Sequence, residues 1–438
     1  MKYQLRSASF RPLPAVALVI ALLAGATTAD LAAAPVVNDI SKPGSGAAAE
    51  AYQRGIEALG KGDLKAAEAS FRSALRQDPK MVSALLGLGE VAFLSRRVDD
   101  AGQWIEQAVK ADPKDANAQA SWGRFLALKG RRAEAEVALK QAAALDAKAF
   151  RPRIDLADML LSRGDGEGAI VLYREALTIS PEHPGARYAL GQALLKAGYP
   201  AAAAAELTRA ASLAKGNPLP LVALARAEFA RQQPDAAMAA VDQALRIQPS
   251  LVEALILKGD LLDSRGLPEP ALRHYERAAQ LAPKLALPHM RAGMIQQQRG
   301  QLDAATQAYQ RTIVLDPNQS VALNNLAALA VERKQNLKQA EGWARRAVAA
   351  VPRAAQFHDT LATVLLAQGD RKGAIASFKT ATELAPKDPS IRYHLGKALA
   401  EAGDKAEARK TLQEALSLTP NFPAAADAQK LLDSLGTP

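Results

Sequence analysis

From Val252 to Pro283 the apolar and polar positions follow a helical period twice. Leu255, Gly259 and Leu262 recur at the spacing of one helical face, Arg265-Gly266 interrupts it, and Ala271, Tyr275 and Ala278 mark one face of a second helix that Pro283 closes. This segment predicts two antiparallel helices joined by a tight turn, and no strand-like alternation competes with it. The same unit then recurs. Pro352, Pro386 and Pro420 stand 34 residues apart, and Pro317, Pro283, Pro249, Pro181, Pro113 and Pro79 carry the series backwards at one or two periods each, with a single interval of 35. A fixed period of this size means stacked helix pairs, each packing only on its neighbours.

Close approach of paired helices requires small residues where they cross. The first helices supply Gly55, Gly89, Gly123, Ala157, Gly191, Ala225, Gly259, Gly293, Ala327, Ala362 and Gly396; the second supply an alanine in every unit, from Ala67 and Ala101 to Ala374 and Ala408. This pattern resembles the tetratricopeptide repeat family, whose unit is a 34-residue helix-turn-helix with small residues, an aromatic and a proline at these offsets. The resemblance covers residues 48–421 as eleven units. It implies an all-α fold: a right-handed superhelical solenoid, here closed by a C-terminal capping helix over 422–438. Thr312 replaces one alanine of the second helices, and the unit from Ser320 carries one extra residue around Lys334 to Lys338, which predicts a lengthened turn.

The two ends differ from the array. Lys2, Arg6 and Arg11 precede the apolar run Ala15 to Leu23, and small residues follow to Ala29, which is the layout of a secretory signal peptide over 1–29 with cleavage after Ala26 or Ala29. An uncleaved anchor is the alternative, the uncharged stretch from Pro12 to Ala29 being just long enough for a short span. Residues 30–47 are rich in Ala, Pro, Gly and Ser and read as a flexible linker. Near the C-terminus, Ala424, Ala428, Leu431, Leu432 and Leu435 share one face opposite Asp427, Gln429, Lys430 and Asp433, as a terminal capping helix requires.

Composition narrows the chemistry. The chain has no cysteine, so thioether lipidation after Leu23-Ala24-Gly25 is excluded, as are disulfides. Its net charge of +10 falls to +7 if Lys2, Arg6 and Arg11 are removed with the signal, and the bases are interspersed with acids. No basic stripe with aromatics supports nucleic-acid binding. His183, His274, His289, His358 and His394 fall in different repeats without metal-ligand spacing, so no metal or cofactor is expected. Gly87-Leu88-Gly89 lies inside a helix and is no phosphate loop. Asp155 with Asp158, and Asp260 with Asp263, read as solvated pairs on helix faces. An enzymatic role is not expected.

What remains is a surface. The resemblance implies that first helices line a concave groove, and the candidate binding residues there are Tyr52, Arg124, Arg151, Tyr188, Arg226, Arg291, Asn324, Asn325, Tyr393 and His394. Arginine and asparagine suit an extended peptide or an anionic polysaccharide; the tyrosines suit a sugar chain. The units containing Leu323-Asn324-Asn325-Leu326-Ala327 and Ile391 to Gly396 look like those of periplasmic repeat proteins serving exopolysaccharide synthesis and export, and also like those of pilus, secretion and outer-membrane assembly proteins. The expectation is an exported, periplasmic scaffold for protein partners, with membrane contact only if the N-terminal segment stays uncleaved.

Overall fold

A computed structural model describes residues 46–419 and 421–436, and among them 23 α-helices and no strand. The expected signal segment and most of the expected linker lie outside the described residues. The helices fall into two compact units that meet in sequence at Pro249 and Ser250. The first contains α1 (Ala47–Gly60), α2 (Leu64–Gln77), α3 (Val82–Leu94), α4 (Val98–Ala111), α5 (Ala116–Leu128) and α6 (Arg132–Leu145), followed by α7 (Phe150–Arg163), α8 (Gly166–Ile179), α9 (Pro184–Lys196), α10 (Pro200–Leu213), α11 (Leu219–Ala230) and α12 (Pro234–Ile247). The second contains α13 (Val252–Ser264), α14 (Pro268–Leu281), α15 (Ala286–Gln298), α16 (Leu302–Leu315), α17 (Ser320–Glu332) and α18 (Leu337–Ala350), followed by α19 (Ala355–Ala367), α20 (Arg371–Leu384), α21 (Pro389–Glu401), α22 (Lys405–Leu418) and α23 (Ala425–Ser434).

Each odd-numbered helix up to α21 packs on the next even-numbered one, so the predicted helix pairs are present throughout. The crossing residues explain the pairing. All eleven second-helix alanines, Ala67 through Ala408, are fully buried. Opposite one of them, a Cβ on Gly259 would stand 2.5 Å from Tyr275 Cε1, so only a residue without a side chain lets this pair close. Thr312 is buried like the alanines it replaces, and its hydroxyl donates to the Ala308 carbonyl at 2.9 Å, which satisfies it within its own helix.

The two helices of a pair are not equivalent. First helices are buried on several sides: α3 buries Ala84, Leu85, Gly87, Leu88, Gly89, Val91 and Ala92, whereas α4 buries only the stripe Ala101, Gly102 and Ala108. Successive first helices also touch one another, α3 on α5 and α5 on α7 in the first unit, α17 on α19 and α19 on α21 in the second. The first helices therefore form an inner layer within each unit, and the second helices cover its back.

Between paired helices the chain usually turns through a left-handed residue. Glycine fills it in most repeats, but Arg96, Gln232 and Lys334 occupy it at φ of 61°, 60° and 52°. The lengthened turn appears where expected: residues 333–336 link α17 to α18, and Asn336 is left-handed as well. At the end of the second unit, α23 buries Ala428 in a cluster with Leu412, Ala415 and Phe422, closing the last pair.

Candidate functional site

In the first unit the inner layer carries a half-buried chain of charge. Arg151 Nε on α7 donates to Asp155 Oδ1 at 3.0 Å one turn along, and Arg124 on α5 reaches Asp155 Oδ2 at 3.4 Å from the preceding repeat. A second guanidinium nitrogen of Arg124 donates to Ser121 Oγ at 3.1 Å. Asp158, one turn beyond Asp155, accepts the hydroxyl of Tyr173, which rises from α8. Burial pushes Asp155 above the ordinary carboxylate range, and Arg124 and Arg151 oppose it. Asp158 is raised too, by burial first and then by its neighbour Asp155, with the Tyr173 hydroxyl opposing. Burial likewise raises Glu90 on α3, and Arg124 opposes it. The charged groups belong to three successive first helices, and Arg124 links them by reaching Asp155 in the next repeat and opposing the shift of Glu90 in the preceding one.

This corrects the expectation of a solvated face for Asp155, whereas Asp158 is exposed as expected. The Asp155 side chain is only 11% exposed, because successive first helices close over it. Charges held so deep survive only with partners.

The second unit repeats part of this arrangement. Tyr275 Oη on α14 donates to Asp260 Oδ1 at 2.7 Å, and Arg291 Nε on α15 stands 3.1 Å from the same oxygen. That nitrogen is not aligned for a hydrogen bond, so the contact is one of charge alone. Further on, Tyr309 donates to Gln297 Oε1 at 2.8 Å while Asn325 Nδ2 donates to Tyr309 Oη at 3.0 Å. Asn324 is 7% exposed, with its Nδ2 3.4 Å from Asn325 Oδ1 and its own Oδ1 buried without a hydrogen-bond partner. Asn325 thus shows its side chain on the inner layer, whereas Asn324 lies beneath it. His394 Nδ1 on α21 meets Asp359 Oδ1 on α19 at 2.8 Å. Burial pulls the His394 pKa down, but the hydrogen bond and charge of Asp359 outweigh it and the net shift is upwards.

The tyrosines do not form one set. Tyr52 is 4% exposed, with its ring centroid 5.7 Å from that of Phe71, so it belongs to the core and offers no ring face to a sugar. Tyr188 is half-buried and accepts Gln192 Nε2 at 2.8 Å. Tyr393 leans on the cap, 6.3 Å from the Phe422 ring centroid. Among the arginines, Arg124, Arg151 and Arg291 are held by carboxylates, and Arg226, half-buried on α11, is not free either. Tyr173, Tyr275, Tyr309, Gln297 and Asp359 complete these networks and were not among the candidates. A signal for some of them exists: Tyr173 with Asp158 and Tyr275 with Asp260 repeat at a multiple of the 34-residue period. Among the described residues, no three of His, Cys, Asp and Glu gather as a metal site would, and no helix is long and apolar enough to cross a membrane.

Profiles described as tetratricopeptide repeat match residues 52–116, 222–286 and 290–355, and another of that description matches 365–432. A profile described as TPR repeat matches 157–198. With the paired helices and their buried alanine crossings, these matches establish the class: the chain belongs to the tetratricopeptide repeat family. None of the curated proteins matches it. Among solved structures it is similar to the APC/C hetero-tetramer Cut9–Hcn1 at 14% identity, covering 90% of this chain and 97% of that one with a TM-score of 0.49. It is also similar to yeast Tom70 (12% identity, 89% and 95% covered, TM-score 0.42). A tetratricopeptide repeat protein from Parabacteroides merdae is similar at 17% identity, with 64% and 98% covered and a TM-score of 0.41.

Proposed function

We propose that this chain is a non-enzymatic scaffold that seats protein partners on the inner layer of first helices, in the bacterial cell envelope and within an assembly for exopolysaccharide synthesis or export. The observation that carries the binding reading is the inner layer itself. It gathers carboxylates, guanidiniums and amides from successive repeats, and their side chains are fixed by cross-repeat bonds such as Arg124 to Asp155 and Asn325 to Tyr309. Fixed polar groups bind with little ordering cost. The same bonds bear on the choice of ligand. Arg124, Arg151 and Arg291 are already paired with Asp155 or Asp260, so the layer presents mixed polarity rather than free positive charge. That favours a protein over an anionic polysaccharide.

The envelope rests on the basic, apolar and small-residue layout of residues 1–29, and the exopolysaccharide context on the resemblance of the later units. Affinity capture from envelope extracts tests the binding reading. A discrete protein partner should be retained by the wild-type chain and by Val137→Ser on α6, and lost when Arg124→Gln, Arg226→Gln and Asn325→Ala are combined. Retention by all three chains would refute it. Mass spectrometry of the mature amino terminus tests the compartment: a start after Ala26 or Ala29 is expected, and a soluble chain in the cytoplasm starting at Met1 would overturn it.

A further inference from the structure

The inner layer of the first unit carries two parallel rows, one apolar and outside the polar networks, the other made in part of the groups that form them. One is apolar: Phe93, Ala127, Leu161, Leu195 and Phe229 occupy the same repeat position on α3, α5, α7, α9 and α11. The other stands three residues earlier on the same helices and reads Glu90, Arg124, Asp158, Gln192 and Arg226. Residues three apart share a helix face, so the rows run side by side. Phe93 is 50% and Phe229 38% exposed, while Leu161 and Leu195 between them are half-buried. A single exposed apolar residue needs no explanation, but a row repeated along one layer marks an interaction surface.

We propose that this face takes an amphipathic segment of a protein partner, with one apolar edge against the Phe93–Phe229 row and one edge of mixed charge against the Glu90–Arg226 row. The inference rests on the reading that partners sit on the first-helix layer, and it specifies the chemistry of what sits there. Charge complementarity selects the occupant. The polar row alternates acid, base, acid, neutral, base, so a uniform polyanion meets a carboxylate at Glu90 and Asp158, and a uniform polycation meets guanidinium at Arg124 and Arg226. A segment carrying both signs avoids both conflicts. An apolar edge then covers surface that a polar chain would leave wet. The second unit has Asp263, Gln297, Val331, Leu366 and Ala400 at the position of the apolar row, so the arrangement belongs to the first unit.

The test is selection of a random linear-peptide library on the full chain. Recovered peptides should pair an apolar edge with both signs of charge. Their affinity should fall by about tenfold or more in the double variant Phe93→Ser with Phe229→Ser, and stay unchanged in Val137→Ser on the second-helix side. Both phenylalanines are well exposed, and circular dichroism of the double variant checks that the helices remain. Recovery of only polyacidic or polybasic peptides, no enrichment, or full affinity in the double variant overturns the inference. If affinity is lost with Arg124→Gln and Arg226→Gln but not with the double variant, the binding face stands and its amphipathic character falls. If neither set matters, the first-helix reading falls with it.

Discussion

Tyr275 donates its hydroxyl to Asp260 at 2.7 Å, from the second helix of one repeat to the first helix of the same repeat. Tyr173 makes the same bond to Asp158 three repeats earlier in the sequence. In both cases a buried aromatic ring reaches through the helix pair and puts its one polar atom on a carboxylate of the inner layer. Burial holds Asp158 above the ordinary carboxylate range, and the tyrosine hydroxyl opposes that shift.

Tyr173→Phe is therefore expected to lower stability by roughly 0.5–1.5 kcal/mol at neutral pH, the net worth of one hydrogen bond, because Asp158 is exposed enough for water to meet its carboxylate. Losing the donor raises Asp158 further, so the carboxyl protonates at a higher pH and the penalty shrinks on acidification. Urea denaturation of both proteins at neutral and mildly acidic pH checks this. An equal loss at the two pH values would show that packing, rather than the charge, sets the cost.

The His394–Asp359 contact has the opposite pH dependence. The folded pKa of His394 is raised above its unfolded value, about 6.5. Its contribution is fully present below that unfolded value and is lost as pH rises through the folded one. Asp388 supports the protonated form as well, and Lys397 opposes it. Asp359→Asn should remove most of this slope and lower the His394 titration midpoint observed by NMR. A midpoint unmoved by Asp359→Asn would contradict the assignment.

Two backbone positions predict effects of opposite sign. Gly259→Ala drives a methyl into Tyr275 and should destabilise by roughly 1–3 kcal/mol, the usual cost of overpacking. Gln232→Gly relieves a left-handed residue, a strain of roughly 1–2 kcal/mol, against a glycine entropy cost of roughly 0.5–1 kcal/mol. A net gain of roughly 0–1.5 kcal/mol is expected. Chemical denaturation of the two variants measures both.

Removing the chain from Pro423 should take away Ala428 and expose Leu412, Ala415 and Phe422, which cluster with it. Because repeats contact mainly their sequence neighbours, the loss should be local, with α21 and α22 exchanging amide hydrogens first. Uniform acceleration throughout 250–419 would contradict this.

The helix pairs were legible because each repeat solves the same steric problem. Fully buried alanines such as Ala271 and Ala374, and glycines such as Gly259, recur wherever backbones cross, and the period survives every other substitution. The site was less legible because its contacts run between repeats. Asp155 looked solvated from its spacing to Asp158, yet one of its two arginines stands 31 residues away on α5. Tyr52 shares its repeat position with Tyr188 and with the buried Val222 and Ile256, so position alone could not separate core from face. Local burial decides each case, and burial depends on the size of residues in the neighbouring repeats.

The central claim is that partners occupy the first-helix layer. Hydrogen–deuterium exchange of the full chain with and without a captured protein partner tests it most directly. Protection is expected on first helices such as α3, α5, α7 and α17, with α4, α6, α8 and α18 unchanged. Protection concentrated on the second helices, with the first helices unaffected, would contradict it.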